Sequence, residues 1–466
     1  MNAKIFQLSF FILVGCVAAI GNRVADGADP GQFKIATFSA DITIPLGHRC
    51  MGIIKTKVKQ IDDPLEAHGL VLLGADSPIV LVALDWCEVR NGAYDQWRDA
   101  LAAAAMTTRD HVLVSSLHQH DAPISDSGAQ RYLDTVGLQG ELYDVDFHAR
   151  CIDDVVRAMK AAVAEAEPLT HIGLGQAAVE KVASSRRVIR ADGTVGYDRG
   201  SGSGGVPAYA AADDGEIDPM LKSITFYHDT KALAVVSCYA THPMSHYGKG
   251  AVSADFVGIA RRRRQLDTPP TKQIYLSGCS GDVTAGKYND GAPAMRAVLA
   301  DRVYQAMKQA EAATVRTPLD RVALKMGSLK LPFIDEPAFT RPSMMQVLEN
   351  EQATVENRIS AAMGLSSLDR VERGQPIDLP CLELGEARLL LMPGESFVHY
   401  QLMAQQMSPD RFVMTVGYGE CWPGYIPSEQ AFVDGFDHGW RWVARGSEAI
   451  IKEALQPLLA PSQVAP

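Results

Sequence analysis

The segment 111–123 constrains this chain more than any other: an apolar run, Val112-Leu113-Val114, leads into Leu117-His118-Gln119-His120-Asp121. The run reads as a buried strand, and a His-x-His pair stands where that strand ends. Side chains two apart on extended backbone point the same way, so both imidazoles look into one space at the end of a sheet. That is where α/β folds gather their ligand sites. Two imidazoles there can divide the work, one ligating a metal and the other moving protons.

Further strand ends carry matching chemistry. Residues 235–239 form a second apolar run that ends in Ala240-Thr241-His242-Pro243, where the proline stops the ladder. A third, 273–276, enters Ser277-Gly278-Cys279-Ser280-Gly281-Asp282-Val283-Thr284. A fourth, 388–392, enters Pro393-Gly394-Glu395, and a fifth, 412–416, precedes Trp422-Pro423-Gly424-Tyr425. Two histidines, a glutamate and a tyrosine thus lie just past apolar strands, and such N/O donors suit Zn²⁺ with one position left for water. Alone, His242 would read as a core histidine and Glu395 as a solvated turn residue. The repeated placement argues for a shared site.

Strand patterns also cover 33–42, 79–84, 222–227 and 320–331, and helical patterns cover 94–105, 145–166, 294–313, 343–363 and 441–459. This alternation predicts an α/β (or α+β) fold, with mixed sheets covered by helices in a single large catalytic domain over 29–466. No linker divides the chain and no internal repeat is visible. Residues 190–218 are the weakest segment, and Ser201-Gly202-Ser203-Gly204-Gly205 within them reads as a mobile loop beside the pocket.

The 466 residues, 47% apolar, can bury a large core, and a net charge of −11 argues against nucleic acid or an anionic membrane as partner. Arg261 to Arg264 is the local exception and reads as solvated helix surface. Residues 1–28 read as a signal peptide, so the protein is expected to be secreted or periplasmic. Leu13-Val14-Gly15-Cys16 resembles a lipobox, which makes Cys16 a candidate lipid anchor. No second long apolar segment follows, so no transmembrane helix is expected after processing. The eight cysteines form no CxxC pattern, and Cys87 and Cys238 read as buried thiols.

The motifs, taken in order, resemble the neutral/alkaline (non-lysosomal) ceramidase family. The matching pieces are Ala40-Asp41-Ile42-Thr43, His118-x-His120-x-x-Pro123, Ala240-Thr241-His242-Pro243, Gly281-Asp282-Val283-Thr284, Pro393-Gly394-Glu395 and Tyr425-Ile426-Pro427. The resemblance implies a zinc amidohydrolase that cleaves the N-acyl bond of a lipid amide such as ceramide. It implies zinc ligands at His118, His242, Glu395 and Tyr425, with His120 assisting proton transfer. An arginine of that family looks like Arg186, with Arg187 adjacent, and Arg186 or Thr284 would steady the developing oxyanion. Thr284 stands where the family has serine, Ala285-Gly286 replaces Pro-Asn, and the paired threonines after the tyrosine are missing. The family's C-terminal immunoglobulin-like domain is not expected in this chain. Tyr418 is the nearest substitute ligand, and Asp85 and Asp255 are candidates for orienting the histidines.

Two rival classes remain. Gly281-x-x-x-x-Gly286-Lys287 follows a strand and matches most of a phosphate-binding P-loop. Tyr288 replaces the hydroxyl residue that magnesium requires, however, and Asn289-Asp290-Gly291 is turn chemistry. The other rival is a secreted zinc-containing binding protein that has lost catalysis, kept open by Thr284, or a hydrolase of another amide or ester.

Overall fold

In the computed structural model, which describes residues 32–50 and 54–460, three sheets repeat one topology. The first holds Phe33–Asp41, Glu66–Leu73, Ile79–Leu84 and Val112–Ser116. The second holds His171–Ala178, Met220–His228, Lys231–Tyr239 and Lys272–Ser277, and the third Val322–Leu329, Ile377–Leu384, Ala387–Leu391 and Phe412–Val416. In each, three antiparallel strands precede a helix, and the chain returns to pair a last strand parallel to the third. The helices of these crossovers are Asn91–Ala105, Asp255–Asp267 and Val398–Gln406. Glu167–Leu169 and Val315–Pro318 extend the first two sheets at their outer edges.

The burial pattern explains why the central strands are apolar throughout. Ile79, Leu81 and Ala83 face a core shared with the other two sheets, where Ile224, Val236, Leu276, Leu389 and Met414 meet them. Val80, Val82 and Leu84 face the opposite way, onto Trp97, Leu101, Val155 and Met159 of Asn91–Ala105 and Val145–Ala164. A strand covered on both faces shows no alternation. The second sheet packs its outer face on Phe256, Val257, Val303 and Met307, and the third on Ile359, Met363, Ile451 and Leu455. Asp144 starts the helix Val145–Ala164 by accepting the Phe147 N–H at 2.9 Å.

The structure departs from the sequence reading at several points. The threefold repeat is one of topology and not of residues, which is why the sequence hides it. The helix expected over 343–363 is two, Arg341–Glu349 and Val355–Glu372, because Thr354 caps a new start through the Asn357 N–H at 3.2 Å. The helix expected from 441 begins at Ser447, since Arg441 and Val443 bridge to Gly424 and Phe333. Arg261 and Arg264 are buried in ion pairs with Asp85 and Glu311 and are not a solvated face. The loop at Ser201–Gly205 is tied down, with the Gly204 N–H on the Asn289 carbonyl at 2.8 Å and the Asn289 amide on the Ser201 carbonyl at 2.7 Å. No helix among the described residues is long and apolar enough to cross a membrane. The signal peptide and Cys16 lie outside the described residues.

Candidate metal centre

The parallel strand pairs of all three sheets end at one place, and the turns beyond them carry the ionisable groups. His118 follows Val112–Ser116 in a left-handed conformation (φ 67°), held by its N–H on the Trp86 carbonyl at 3.0 Å. A non-glycine residue there is strained, and persists because the surroundings fix it. His242 follows Lys231–Tyr239, and its N–H donates to the Val283 carbonyl at 2.9 Å. Glu395 pairs with Tyr425 in a short parallel ladder, which sets these two side by side. Gly281 is required close by, since a Cβ on it would overlap the Glu395 carbonyl.

Three acceptors converge. His118 Nε2 lies 3.2 Å and His242 Nε2 3.0 Å from the same oxygen of Glu395. The outer nitrogens face carbonyls: His118 Nδ1 lies 3.2 Å from Cys87 O, and His242 Nδ1 2.5 Å from Ser280 O and 3.2 Å from Val283 O. Carbonyls only accept, so in the neutral rings Nδ1 carries the proton and Nε2 presents a lone pair. Two lone pairs then face a carboxylate in a fully buried space, an arrangement that a cation completes. Glu395 Oε1 and His118 Nε2 have no hydrogen-bond partner, which fits the same reading. Burial pushes the His242 pKa down to about 3, with Arg186 adding to the effect. Burial also opposes charge on His118, but Glu395 outweighs it and raises that pKa. Burial would raise Glu395 as well, yet His118 holds it well below the usual carboxylate range.

The other expected residues surround this group. His120 lies with its ring 5.0 Å from that of His118, and its Nδ1 is 3.1 Å from the His118 carbonyl. Burial, reinforced by the two neighbouring histidines, keeps it neutral. The Tyr425 hydroxyl accepts Arg186 Nη1–H at 3.0 Å, and burial raises its pKa against the pull of that guanidinium. Arg186 lines the cleft, whereas Arg187 turns outward onto Asp434 at 2.7 Å, so the geometry separates the two. Thr284 pairs with His242 in a backbone bridge, but its hydroxyl accepts the Gly286 N–H at 3.0 Å and is absent from the cleft wall. Tyr418 stacks on His118 at 4.4 Å and binds the Ser280 hydroxyl at 2.7 Å, behind the histidines.

Neither aspartate expected to orient the histidines does so. Asp85 accepts from Arg261 of the helix Asp255–Asp267 at 2.9 Å, and Asp255, the first residue of that helix, accepts the Ser245 N–H at 3.0 Å. Carbonyls of Cys87 and Ser280 orient the rings, together with Glu88, whose Oε1 lies 3.8 Å from His118 Nδ1. No side-chain pattern reveals a carbonyl. Glu88 had a signal, for it lies four residues past its strand just as Glu395 does. Lys287 pairs with Asp214 at 3.0 Å, and only a short 3₁₀ turn, Gly286–Tyr288, follows Gly281. A P-loop needs a helix there.

Two further clusters of possible ligands occur among the described residues. Glu66, His68 and Asp85 already hold the Arg261 guanidinium, so their charge is answered. Cys87 shares His118 with the main group and faces its outer nitrogen at 3.6 Å.

No family model and no curated protein matches the sequence. Solved structures do match. The chain superposes on neutral ceramidase from Pseudomonas aeruginosa with a TM-score of 0.66 over 92% of its length and 74% of that chain, at 14% identity. The chain has the fold of a neutral ceramidase. A ceramidase complexed with C2 gives the same TM-score and identity over 93% of this chain and 77% of that one.

Proposed function

We propose that this protein is an exported zinc-dependent hydrolase of N-acyl bonds, acting on a lipid amide as ceramidases do. The observation that carries the reading is the convergence of two imidazole nitrogens and a carboxylate on one point, on a ceramidase fold. His118, His242, Glu395 and Tyr425 would hold the metal. When bound, zinc lowers the pKa of a water towards about 7 and polarises an acyl carbonyl.

The remaining steps belong to side chains. His120 commits Nδ1–H to the His118 carbonyl, so Nε2 is free to take a proton from the attacking water and return it to the leaving nitrogen. A C–O bond forms, the C–N bond breaks, and the amine departs with that proton. Arg186 donates to Tyr425 and keeps a further N–H, on Nε, without a partner, which suits it to a developing oxyanion. Thr284, whose hydroxyl accepts the Gly286 N–H away from the cleft wall, leaves that role to Arg186.

Turnover of a panel of N-acyl and ester substrates, with and without chelator, tests the reading in wild type and His118→Ala. Hydrolysis that is lost in both treatments supports it. Turnover indifferent to both refutes zinc hydrolysis, and zinc binding without any turnover favours a binding protein.

A further inference from the structure

The cleft above Tyr425 has a volume of about 290 Å³, and no aspartate or glutamate among the described residues lines it. Its ionisable wall consists of Arg186, His120, His438, Tyr247 and Tyr425. That is a conspicuous bias in a chain of net charge −11. Ile54, Met244 and Trp440 supply the apolar part.

Arg186 is the centre of the bias. Several buried arginines hold carboxylates, Arg90 with Glu88, Arg261 with Asp85 and Arg370 with Asp95, each at 2.9 Å, whereas Arg199 and Arg358 donate to backbone carbonyls. Arg186 forms no ion pair among the described residues; Nη1 donates to the Tyr425 hydroxyl and Nε has no partner. A half-buried guanidinium with no close counter-ion is a ready partner for an anionic group entering the cleft. His438 provides a second donor. Its Nδ1 accepts the Trp440 N–H at 3.1 Å, so the ring proton sits on Nε2, and the ring lies 4.6 Å from that of Tyr425. Both donors stand next to the phenol at the edge of the metal group.

We infer that the substrate is an amide carrying a carboxylate a few bonds from the scissile C–N bond, of the N-acyl amino acid class, seated on Arg186 and His438. The inference rests on the hydrolase reading above and specifies its substrate. A guanidinium N–H forms a charge-assisted bond with a carboxylate that a neutral sphingoid hydroxyl does not match, and with Nη1 on Tyr425 and Nε left for the oxyanion this falls to Nη2. The cleft is also small beside ligand pockets of roughly 300–1,000 Å³. It fits a compact polar head with the start of an acyl chain.

The test compares N-octanoylglycine with N-octanoylethanolamine, which share an acyl chain and differ in the anionic group. Zinc-loaded wild type should favour the glycine conjugate at least tenfold in kcat/KM, and Arg186→Gln should bring the ratio close to one while lowering both rates. Arg186→Lys should retain part of the preference. Equal turnover in wild type, or a ratio that survives Arg186→Gln, would overturn the inference. If Arg186→Gln does not fold, Ser201→Asp replaces it: a negative charge on the cleft wall should cut the ratio by a similar factor, and an unchanged ratio counts against the proposal. If zinc-loaded wild type cleaves neither compound, the hydrolase reading fails by itself. Calorimetry on the metal-free protein then decides the present point: tenfold tighter binding of the glycine conjugate upholds it, and equal binding overturns it.

Discussion

The first and third units of the repeat build the same turns and put them to opposite uses. Glu88 lies four residues past Ile79–Leu84 and Glu395 four past Ala387–Leu391, and both are fully buried. Glu88 is answered by Arg90 at 2.9 Å and by Trp440 Nε1–H at 3.1 Å. Glu395 forms no ion pair with an arginine or lysine among the described residues, faces two histidine nitrogens and keeps Oε1 without a partner. His118 and Tyr418 are the other matched pair, each two residues past its strand, each left-handed (φ 67° and 56°), and stacked on one another. One ring turns its nitrogen to the cavity, and the other hands its hydroxyl to Ser280. Backbone topology therefore decides where side chains stand, and the local counter-charge decides which of them can bind a cation.

Substitutions that exchange these roles test that division. Glu395→Gln removes the acceptor shared by two histidines, and zinc affinity in a competition titration should fall well beyond the about 10–100-fold that outer partners carry. Glu88→Gln should cost about 10–100-fold in the same titration, through the orientation of His118. If Glu88→Gln proves the more damaging, the assignment of the two carboxylates is reversed. Glu88→Ala should also lower the unfolding free energy by up to about 3–5 kcal/mol, since it removes the closer of the two buried carboxylates beside Arg90 and leaves only Asp126 at 3.7 Å.

The first unit's turn further leans on His148, whose ring packs 5.6 Å from Trp86 and 5.9 Å from Trp97. Burial holds its pKa at about 4, below the 6.5 of an exposed imidazole. The unfolded chain therefore takes up the proton first. The stability this neutral ring contributes, at most about 3 kcal/mol, is complete above pH 6.5 and is lost as pH falls towards 4. His148→Phe should flatten that acid limb in denaturant titrations, and an unchanged slope would remove His148 from the account. Tyr418→Phe is the mildest change: losing the bond to Ser280 should cost about 1 kcal/mol of stability and leave zinc affinity within a few-fold.

Much of the scaffold was legible because double burial leaves a plain mark. Ile79–Leu84 and Phe412–Val416 have the bounds their apolar runs suggest. The strand-end turns at His118, His242 and Glu395 were visible for the same reason, as polar residues abruptly following such runs. Geometry alone could separate Arg186 from Arg187, since adjacent residues on an extended segment face opposite ways and nothing local says which side is the cleft. Helix breaks escaped notice where a cap outweighed periodicity, as at Thr354. Buried arginines escaped notice because their carboxylate partners are remote in sequence, as Glu311 is from Arg264. The repeat was invisible because its three copies conserve strand order while each fills its own space with different side chains.

The meeting of the three strand pairs has a consequence for assembly. No single unit contains more than a part of the group formed by His118, His242 and Glu395, and a ribosome must deliver residue 395, with Tyr425 still to come, before these three can meet. An ion held there is thus a clasp that closes on the finished chain alone: it adds nothing to a half-made intermediate and everything it has to the native state.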